Sequence, residues 1–389
     1  MAHQHAPAPR LRKTRIVCIS DTHNQTPKLP KGDVLIHAGD LTNQGSYSEL
    51  KKTVDWLNKT SFEAIIAIAG NHDITLDEDF YAKHGASWRW PQPQDPTRCR
   101  KLLEDSPRIT YLENQAATVH LRSEKGPHTC FTVFGSPCTP KLRNWAFQYE
   151  AEEASKLWEA IPLDTDIVVT HTPPKNHCDC AEKDEQSGCP ALLQALHRVR
   201  PMLSVFGHIH GARGVERVRW NVEAPETGHL EEGTELWKDA GAASNKQSLV
   251  DLTAKGGRPL DNLGALARPM KMPRFYVREL GGQPDDGDDA QPGILKSTSH
   301  AEDVANSEAE VMAVIISGGA YGQGGGNSDI GLASGPDVES AERRQHRRET
   351  VMINAALMSP HWERPRRSNK PIVVDVDLPV WSLIDECTH

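Results

Sequence analysis

The chain has 389 residues, a formal net charge of −9 at pH 7 and eight cysteines. No stretch approaches the 18 or more apolar residues of a membrane-spanning helix. The first 15 residues are rich in His, Pro and basic residues and lack the apolar segment of a secretory signal. These features argue against a membrane protein and predict an intracellular location, cytoplasmic or, as the alternative, nuclear.

The excess negative charge is concentrated in residues 221–349. This segment has 13 Lys or Arg and 22 Asp or Glu, so its excess equals that of the whole chain. The remainder is balanced, and the totals therefore give no support to a broad basic surface for nucleic acid. Runs such as 285–289 and 322–328 cannot bury enough apolar surface to offset the entropy of ordering. We predict a long acidic, Gly-rich, largely disordered insertion at 221–349, with binding of a protein partner as one hypothesis for its role.

Five apolar segments are predicted to form strands. In chain order they are 15–20, 33–38, 64–69, 166–170 and 203–206, and two further strands, 215–220 and one around 351–353, are expected to flank the insertion. Buried strands separated by helical segments are typical of α/β folds. In such folds the functional site lies beyond the carboxyl ends of the strands.

A short polar motif follows each of the first five strands. The motifs are Asp21-Thr22-His23, Gly39-Asp40, Gly70-Asn71-His72-Asp73, His171 and Gly207-His208-Ile209-His210. Alternate residues of an extended segment point to the same side, so the D-x-H and H-x-H motifs can each present two ligands to one cavity. Carboxylate, imidazole and amide oxygen suit divalent cations, and a pair of such cations hydrolyses phosphoesters by activating water and neutralising phosphoryl charge. The motifs therefore predict a two-metal phosphoester-hydrolysing site.

This ordered set of motifs resembles the calcineurin-like metallophosphoesterase superfamily. Further stretches resemble, within it, the metallophosphoesterase domain-containing family related to class III cyclic-nucleotide phosphodiesterases: 33–40, Gly135-Ser136-Pro137 with Trp145-Ala146-Phe147, His171-Thr172-Pro173-Pro174, and the closing segments 353–356 and 371–376. The resemblance implies a flexible N-terminus at 1–13 and a single catalytic domain formed by 14–220 and 350–385. It also implies an α/β (α+β) fold, a four-layer αββα sandwich of two mixed sheets flanked by helices, with the dimetal site at the strand C-terminal ends.

The resemblance assigns a role to each motif residue. Two divalent metal ions would be held by seven residues: one ion by Asp21, His23 and His210, the other by Asn71, His171 and His208, and both by Asp40. His72 would be the catalytic residue that stabilises the transition state or protonates the leaving oxygen, with Asp73 orienting its ring. The nucleophile would be a hydroxide bridging the metals, attacking in line. The ligand set leaves the metal open among Mn, Fe, Zn and similar ions.

Several departures from the superfamily pattern bear on the substrate. Protein phosphatases continue Gly-Asp with V-D-R-G and carry G-N-H-E, whereas this chain has Leu-Thr-Asn-Gln-Gly at 41–45 and Asp73 in place of Glu. Closer relatives often carry an aromatic residue where this chain has Cys138 and an acidic residue where it has Gly211. The first departures disfavour a protein phosphatase, and the resemblance implies a phosphodiesterase acting on cyclic nucleotides or other small phosphodiesters. The alternatives are a nuclease or phosphomonoesterase with the same centre, and a non-catalytic scaffold that uses the insertion.

Residues outside the motifs receive structural roles. His37 is interpreted as a strand residue and His177 has no motif support, while Cys178, Cys180 and Cys189 lack the spacing of a zinc site and are interpreted as unliganded thiols. The tryptophans at 88 and 145 fit core packing and pocket lining equally well.

Overall fold

The fold is a sandwich of two sheets with helices on both outer faces. The computed structural model describes residues 10–180, 186–224, 228–239, 247–262, 314–317, 345–359 and 368–381. The core between the sheets joins Ile16, Val34 and Ile66 of the first sheet to Val169 and Val205 of the second. The predicted four-layer αββα arrangement is therefore confirmed.

The first sheet has six strands. In spatial order they are β13 (Ser248–Asp251), β16 (Ile372–Pro379), β1 (Leu11–Ile19), β2 (Val34–Ala38), β3 (Ala64–Ile68) and β4 (Ile109–Tyr111). Strands β1 to β4 are parallel, and β16 pairs with β1 in the antiparallel direction. Every residue of β2 and β3 is buried, as expected for parallel strands covered on both faces.

The second sheet has eight strands. In spatial order they are β12 (Glu231–Leu236), β11 (Gly214–Trp220), β15 (Glu349–Asn354), β10 (Leu203–Phe206), β9 (Ile167–Thr170), β6 (Cys130–Ser136), β5 (Gln115–His120) and β14 (Val314–Ser317). Strands β6, β9, β10 and β15 are parallel. A separate pair consists of β7 (Thr139–Pro140) and β8 (Gln148–Tyr149).

The segment 221–349 contributes strands to both sheets. Strand β13 is an edge of the first sheet, and β12 and β14 are the two edges of the second. The strands on either side of this segment, β11 and β15, pair with each other in the antiparallel direction. The described part of the segment thus extends the sandwich at its edges. The runs 285–289 and 322–328 lie outside the described residues.

Five helices cover the outer faces within the described residues. They are α1 (Tyr47–Asn58), α2 (Glu78–His84) and α3 (Pro96–Glu104) by the first sheet, and α4 (Ala154–Glu159) and α5 (Pro190–Val199) by the second. Helix α1 begins with a reciprocal capping box between Ser46 and Glu49. Its buried residues Leu50, Val54 and Leu57 share one face at helical spacing and pack against the first sheet. Among the described helices, none is long and apolar enough to cross a membrane.

Candidate metal centre

The seven predicted metal ligands lie together where strands from both sheets end. Asp21 and His23 follow β1, Asp40 follows β2, Asn71 follows β3, His171 follows β9, and His208 and His210 follow β10. Backbone hydrogen bonds join these loops, from Asp21 N to Gly39 O at 2.9 Å and from Gly207 N to His171 O at 3.2 Å. Packing of the two sheets therefore brings distant parts of the chain to one site.

Four of these residues form the first half of the site. One ligand atom each from Asp21, His23, Asp40 and His210 lies within 4.8 Å of the others. His210 Nε2 is 3.2 Å from Asp21 Oδ1, and His23 Nε2 is 3.3 Å from His210 Nε2. Two buried carboxylates and two half-buried imidazoles with converging ligand atoms fit a divalent cation.

The second half of the site is formed by Asn71, His171 and His208. His171 Nε2 is 3.1 Å from Asn71 Oδ1, and the centroids of the His171 and His208 rings are 5.0 Å apart. Asp40 lies between the halves, because its Oδ2 is 3.5 Å from His23 Nε2 and its Oδ1 is 3.4 Å from His171 Nε2. One carboxylate oxygen thus faces each half, which is the geometry required of a bridging ligand.

Hydrogen bonds from the far side of two imidazoles set their orientation. Nδ1 of His23 lies 3.2 Å from Thr42 O, and Nδ1 of His171 lies 2.9 Å from Ala38 O. A carbonyl oxygen only accepts, so each Nδ1 carries a proton, and in the neutral ring the lone pair is on Nε2, the nitrogen that faces Asp40. Such backbone contacts commonly fix the tautomer of a metal-binding histidine.

The carboxyl groups and His208 have charge states that favour cation binding, whereas the pKa of His171, which burial alone would lower, is raised to about 9 by Asp40. Burial alone would raise the pKa of both carboxyl groups, but His210 holds the pKa of Asp21 below its ordinary value, and His171 does the same for Asp40. Burial, aided by the charge of His171, lowers the pKa of His208 to about 4. Ionised carboxylates and a neutral imidazole are the forms that coordinate metals.

The backbone of several predicted ligands lies in the left-handed region. The φ angles are 54° at Asp21, 43° at His23, 51° at Asp40 and 68° at His208. Such conformations cost non-glycine residues about 1–3 kcal/mol each and cluster at functional sites, where the surrounding structure enforces them. Gly207 has no room for a side chain, because a Cβ there would collide with the side chains of Ser20 and Asp21.

His72 lies beside the centre and is half-buried. Its backbone N–H donates to Asp40 Oδ1 at 2.9 Å, and its ring Nδ1 lies 2.9 Å from Asn43 O. The His72 ring also contacts the edge of the His23 ring, with centroids 4.8 Å apart. The His72 side chain therefore lies beside the predicted ligands, and its backbone N–H is hydrogen-bonded to Asp40.

The expected contact between Asp73 and the His72 ring is wrong. Asn43 O occupies that position, and the Asp73 carboxylate instead accepts four hydrogen bonds of 2.6–3.0 Å, from Leu41 N, Thr42 N, Thr42 Oγ1 and Gly70 N. Asp73 thus ties the loop after β2 to the loop after β3. Burial and the charge of Asp40 raise its pKa to about 7, although these hydrogen bonds act in the opposite direction. Both oxygens accept from donors, so the cradle fits the ionised form.

Sequence reasoning also missed Asn354, which supports the His208–His210 loop. Its Nδ2 donates to Ile209 O and to Cys178 O, both at 3.0 Å. Asn354 lies in the closing segment 353–356, which the resemblance includes, but a single Asn at the end of a strand does not indicate which groups it contacts.

His177 is buried between two carboxylates outside the metal centre. Its Nδ1 is 2.8 Å from Glu216 and its Nε2 is 3.0 Å from Glu231. Burial alone would lower its pKa, but these two hydrogen bonds raise it to about 9. The neighbouring Cys178, Cys180 and Cys189 are free thiols.

The centre fits two divalent cations, since its donors are carboxylate, imidazole and amide groups that converge in two adjacent sets. An αββα sandwich with this ligand array beyond the carboxyl ends of its strands is the architecture of a metallophosphoesterase. The chain belongs to the calcineurin-like phosphoesterase family, whose model matches residues 14–212.

Three relatives illustrate the similarity. Human metallophosphoesterase domain-containing protein 1 is 39% identical over 214 residues, which cover 52% of this chain and 62% of that protein. UPF0046 protein K07C11.7 from Caenorhabditis elegans is 35% identical over 204 residues, covering 52% and 65%. Probable rhamnogalacturonate lyase C from Emericella nidulans is 44% identical over 210 residues, covering 54% and 18%. The chain therefore spans less than two thirds of each of these proteins.

Proposed function

We propose that this protein is a metal-dependent phosphodiesterase that acts on cyclic nucleotides or other small phosphodiesters. The observation that carries the proposal is the position of Asp40, with Oδ2 3.5 Å from His23 and Oδ1 3.4 Å from His171. A carboxylate placed between two sets of ligands favours two adjacent cations over a single one. Such a pair would activate water and neutralise the phosphoryl oxygens.

The chain's own residues would bind and orient the substrate around this pair. His72 is a half-buried imidazole beside the ligand His23, and its Nδ1 lies 2.9 Å from Asn43 O. Its Nε2 is therefore the atom left to stabilise a phosphoryl oxygen or to protonate the leaving oxygen. The backbone N–H of His72 donates to the bridging carboxylate, so the acid and the metal bridge are held in one loop.

The finer parts of the proposal follow from the resemblance and the ligand chemistry. Manganese, iron and zinc all suit the oxygen and nitrogen donors. We also predict, from the sequence, an intracellular, cytoplasmic location and a protein partner bound through 221–349. The lyase activity in the name of the Emericella protein does not enter the proposal, because the matched region is 18% of that protein.

Two variants in the full-length protein test the proposal. Metal content is measured after reconstitution with Mn²⁺ or Zn²⁺, and turnover is measured on bis-p-nitrophenyl phosphate, p-nitrophenyl phosphate, cyclic nucleotides and DNA. Asp40→Asn should weaken metal binding and abolish hydrolysis. His72→Ala should retain the metals and lose about 10²- to 10⁴-fold in turnover, the usual contribution of a general acid or base.

The substrate panel separates this proposal from its alternatives. A phosphodiesterase should prefer the bis-aryl over the mono-aryl phosphate and should cleave small diesters faster than DNA. Preference for the monoester would establish a phosphomonoesterase and preference for DNA a nuclease. Activity that survives Asp40→Asn, or a metal-loaded wild type that hydrolyses none of these substrates, would refute the proposal.

A further inference from the structure

A row of aromatic side chains extends outward from His72. The ring of Trp145 lies against the His72 ring, with centroids 4.1 Å apart and planes inclined by 35°. Trp88 lies behind Trp145 at 5.1 Å, Trp90 stacks near Trp88 at 6.1 Å, and Tyr81 lies beyond Trp90 at 5.5 Å. We call Trp145, Trp88, Trp90 and Tyr81 the aromatic row.

Hydrogen bonds anchor the row at both ends. The Tyr81 hydroxyl donates to Gln94 O at 3.0 Å and accepts from Gln94 N at 2.8 Å. The loop that carries Trp145 is tied to the start of α2, because Phe147 N donates to Asp77 Oδ2 at 2.7 Å. Asp77 is also the residue that caps α2, so the two segments that contribute the row are joined at one carboxylate.

The His72 ring is held less firmly than the ring of His171. The ligand His171 is fully buried, whereas His72 is half-buried, and one side-chain hydrogen bond, to the exposed Asn43, is described for its ring. A single hydrogen bond leaves the imidazole free to tilt about the line that joins Nδ1 to its acceptor. Packing against the face of Trp145 removes that freedom. Among the described ring contacts, Trp145 contacts His72 and Trp88 and none of the ligand imidazoles.

We propose that Trp145 is a positioning residue that holds the His72 imidazole in its working orientation. The inference rests on the proposed function, since it assumes that His72 acts on the bound phosphoester. Misorientation of a reacting group by about 1 Å costs on the order of 10²-fold in rate. Trp145→Leu should therefore lower kcat about 10- to 100-fold while KM and metal content stay near the wild-type values. Trp145→Phe, which keeps a flat ring, should restore part of the loss.

A double-mutant comparison separates positioning from direct contact with substrate. If Trp145 acts through His72, Trp145→Leu should have little further effect in a His72→Ala background, because the group it positions is gone. An equal loss in both backgrounds, or a rise in KM, would show that Trp145 acts on the substrate itself and would overturn the proposal. Lower metal content or a lower unfolding midpoint in Trp145→Leu would assign it a structural role and would also overturn the proposal.

A matched control is available at the opposite end of the first sheet. Trp381 lies against His120, with ring centroids 5.4 Å apart, and its Nε1 donates to Leu121 O at 2.9 Å. Trp381→Leu removes a tryptophan from a different histidine and should leave kcat unchanged. A comparable loss of kcat in this variant would show that the effect of Trp145→Leu is not specific.

Proton and carbon NMR of the histidine rings gives a readout that needs no substrate. The spectra use the full chain loaded with Zn²⁺, which is diamagnetic, and the His72 signal is assigned by its absence in His72→Ala. Trp145→Leu should shift the His72 signal by removing the indole ring current, whereas Trp381→Leu should shift the His120 signal instead. An unmoved His72 signal would overturn the inference alone. A wild type that hydrolyses no phosphoester would overturn the proposed function and this inference together.

Discussion

Asp73→Asn tests whether this residue supports the site through the loops and not through the His72 ring. Asp73 Oδ1 accepts from the N–H and hydroxyl of Thr42, and Oδ2 accepts from Leu41 N and Gly70 N. Asparagine replaces one of these oxygens with an NH₂ group, so two of the four hydrogen bonds are lost and two buried donors face another donor. An unsatisfied buried polar group costs about 1–3 kcal/mol. The variant should therefore lose about 2–6 kcal/mol of unfolding free energy, a large share of the 5–15 kcal/mol typical of folded domains.

The assay is urea denaturation of the metal-free protein, followed by metal titration. His72→Ala is the matched control, because it changes the adjacent, half-buried residue and should alter stability by less than about 1 kcal/mol. We expect Asp73→Asn to lower the urea midpoint and to weaken metal binding, while His72→Ala changes turnover alone. If Asp73→Asn kept the wild-type midpoint and metal content but lost turnover, the loop-anchoring explanation would be refuted.

Three further predictions follow from the geometry. His177 has a pKa raised to about 9 from 6.5, so its pairs with Glu216 and Glu231 contribute stability that is full below about pH 6.5 and is lost as the pH rises through 9. His177→Gln should accordingly cost at most about 3 kcal/mol at pH 6 and almost nothing near pH 10, as urea midpoints at both values will show. Gly207→Ala should reduce metal affinity, since its Cβ would collide with Asp21, and isothermal titration with Zn²⁺ would detect this. Removal of metal with a chelator should lower the melting temperature, and adding the metal back should restore it; equal melting curves would contradict a bound metal.

The strands and the motifs that follow them were predictable because both depend on local sequence. Strands β2 and β3 are continuous apolar runs, and the five motifs taken together indicate metal-binding chemistry by their residue types. The two-sheet arrangement itself was expected from the resemblance, since strand patterns alone do not say which strands share a sheet. The same limit applies to the position of each ligand loop relative to the others.

Contacts that depend on the tertiary fold were not predictable. Asp73 adjoins His72 in sequence, yet its carboxylate points to the loop around Thr42, because three buried donors there need an acceptor; Gly70 N donates the fourth hydrogen bond. Arg347 lies in the basic run 343–348, a composition typical of solvent-exposed charge, but it is buried and its Nη2 lies 2.6 Å from Asp166 Oδ1. In both cases a hydrogen-bond partner is distant in sequence, so that partner can be identified only in the folded structure.

The position of the centre between two sheets links metal binding to the integrity of the sandwich. In the first half, His23 follows a strand of the first sheet and His210 follows a strand of the second; in the second half, Asn71 and His171 are divided in the same way. Neither half is complete within one sheet, so neither cation would find its ligands until the sheets pack together. Asp40 adds the link between the halves, with one carboxylate oxygen facing each. Ligand binding that requires the folded state stabilises that state. Loss of the ligands from either sheet should therefore weaken metal binding at both positions.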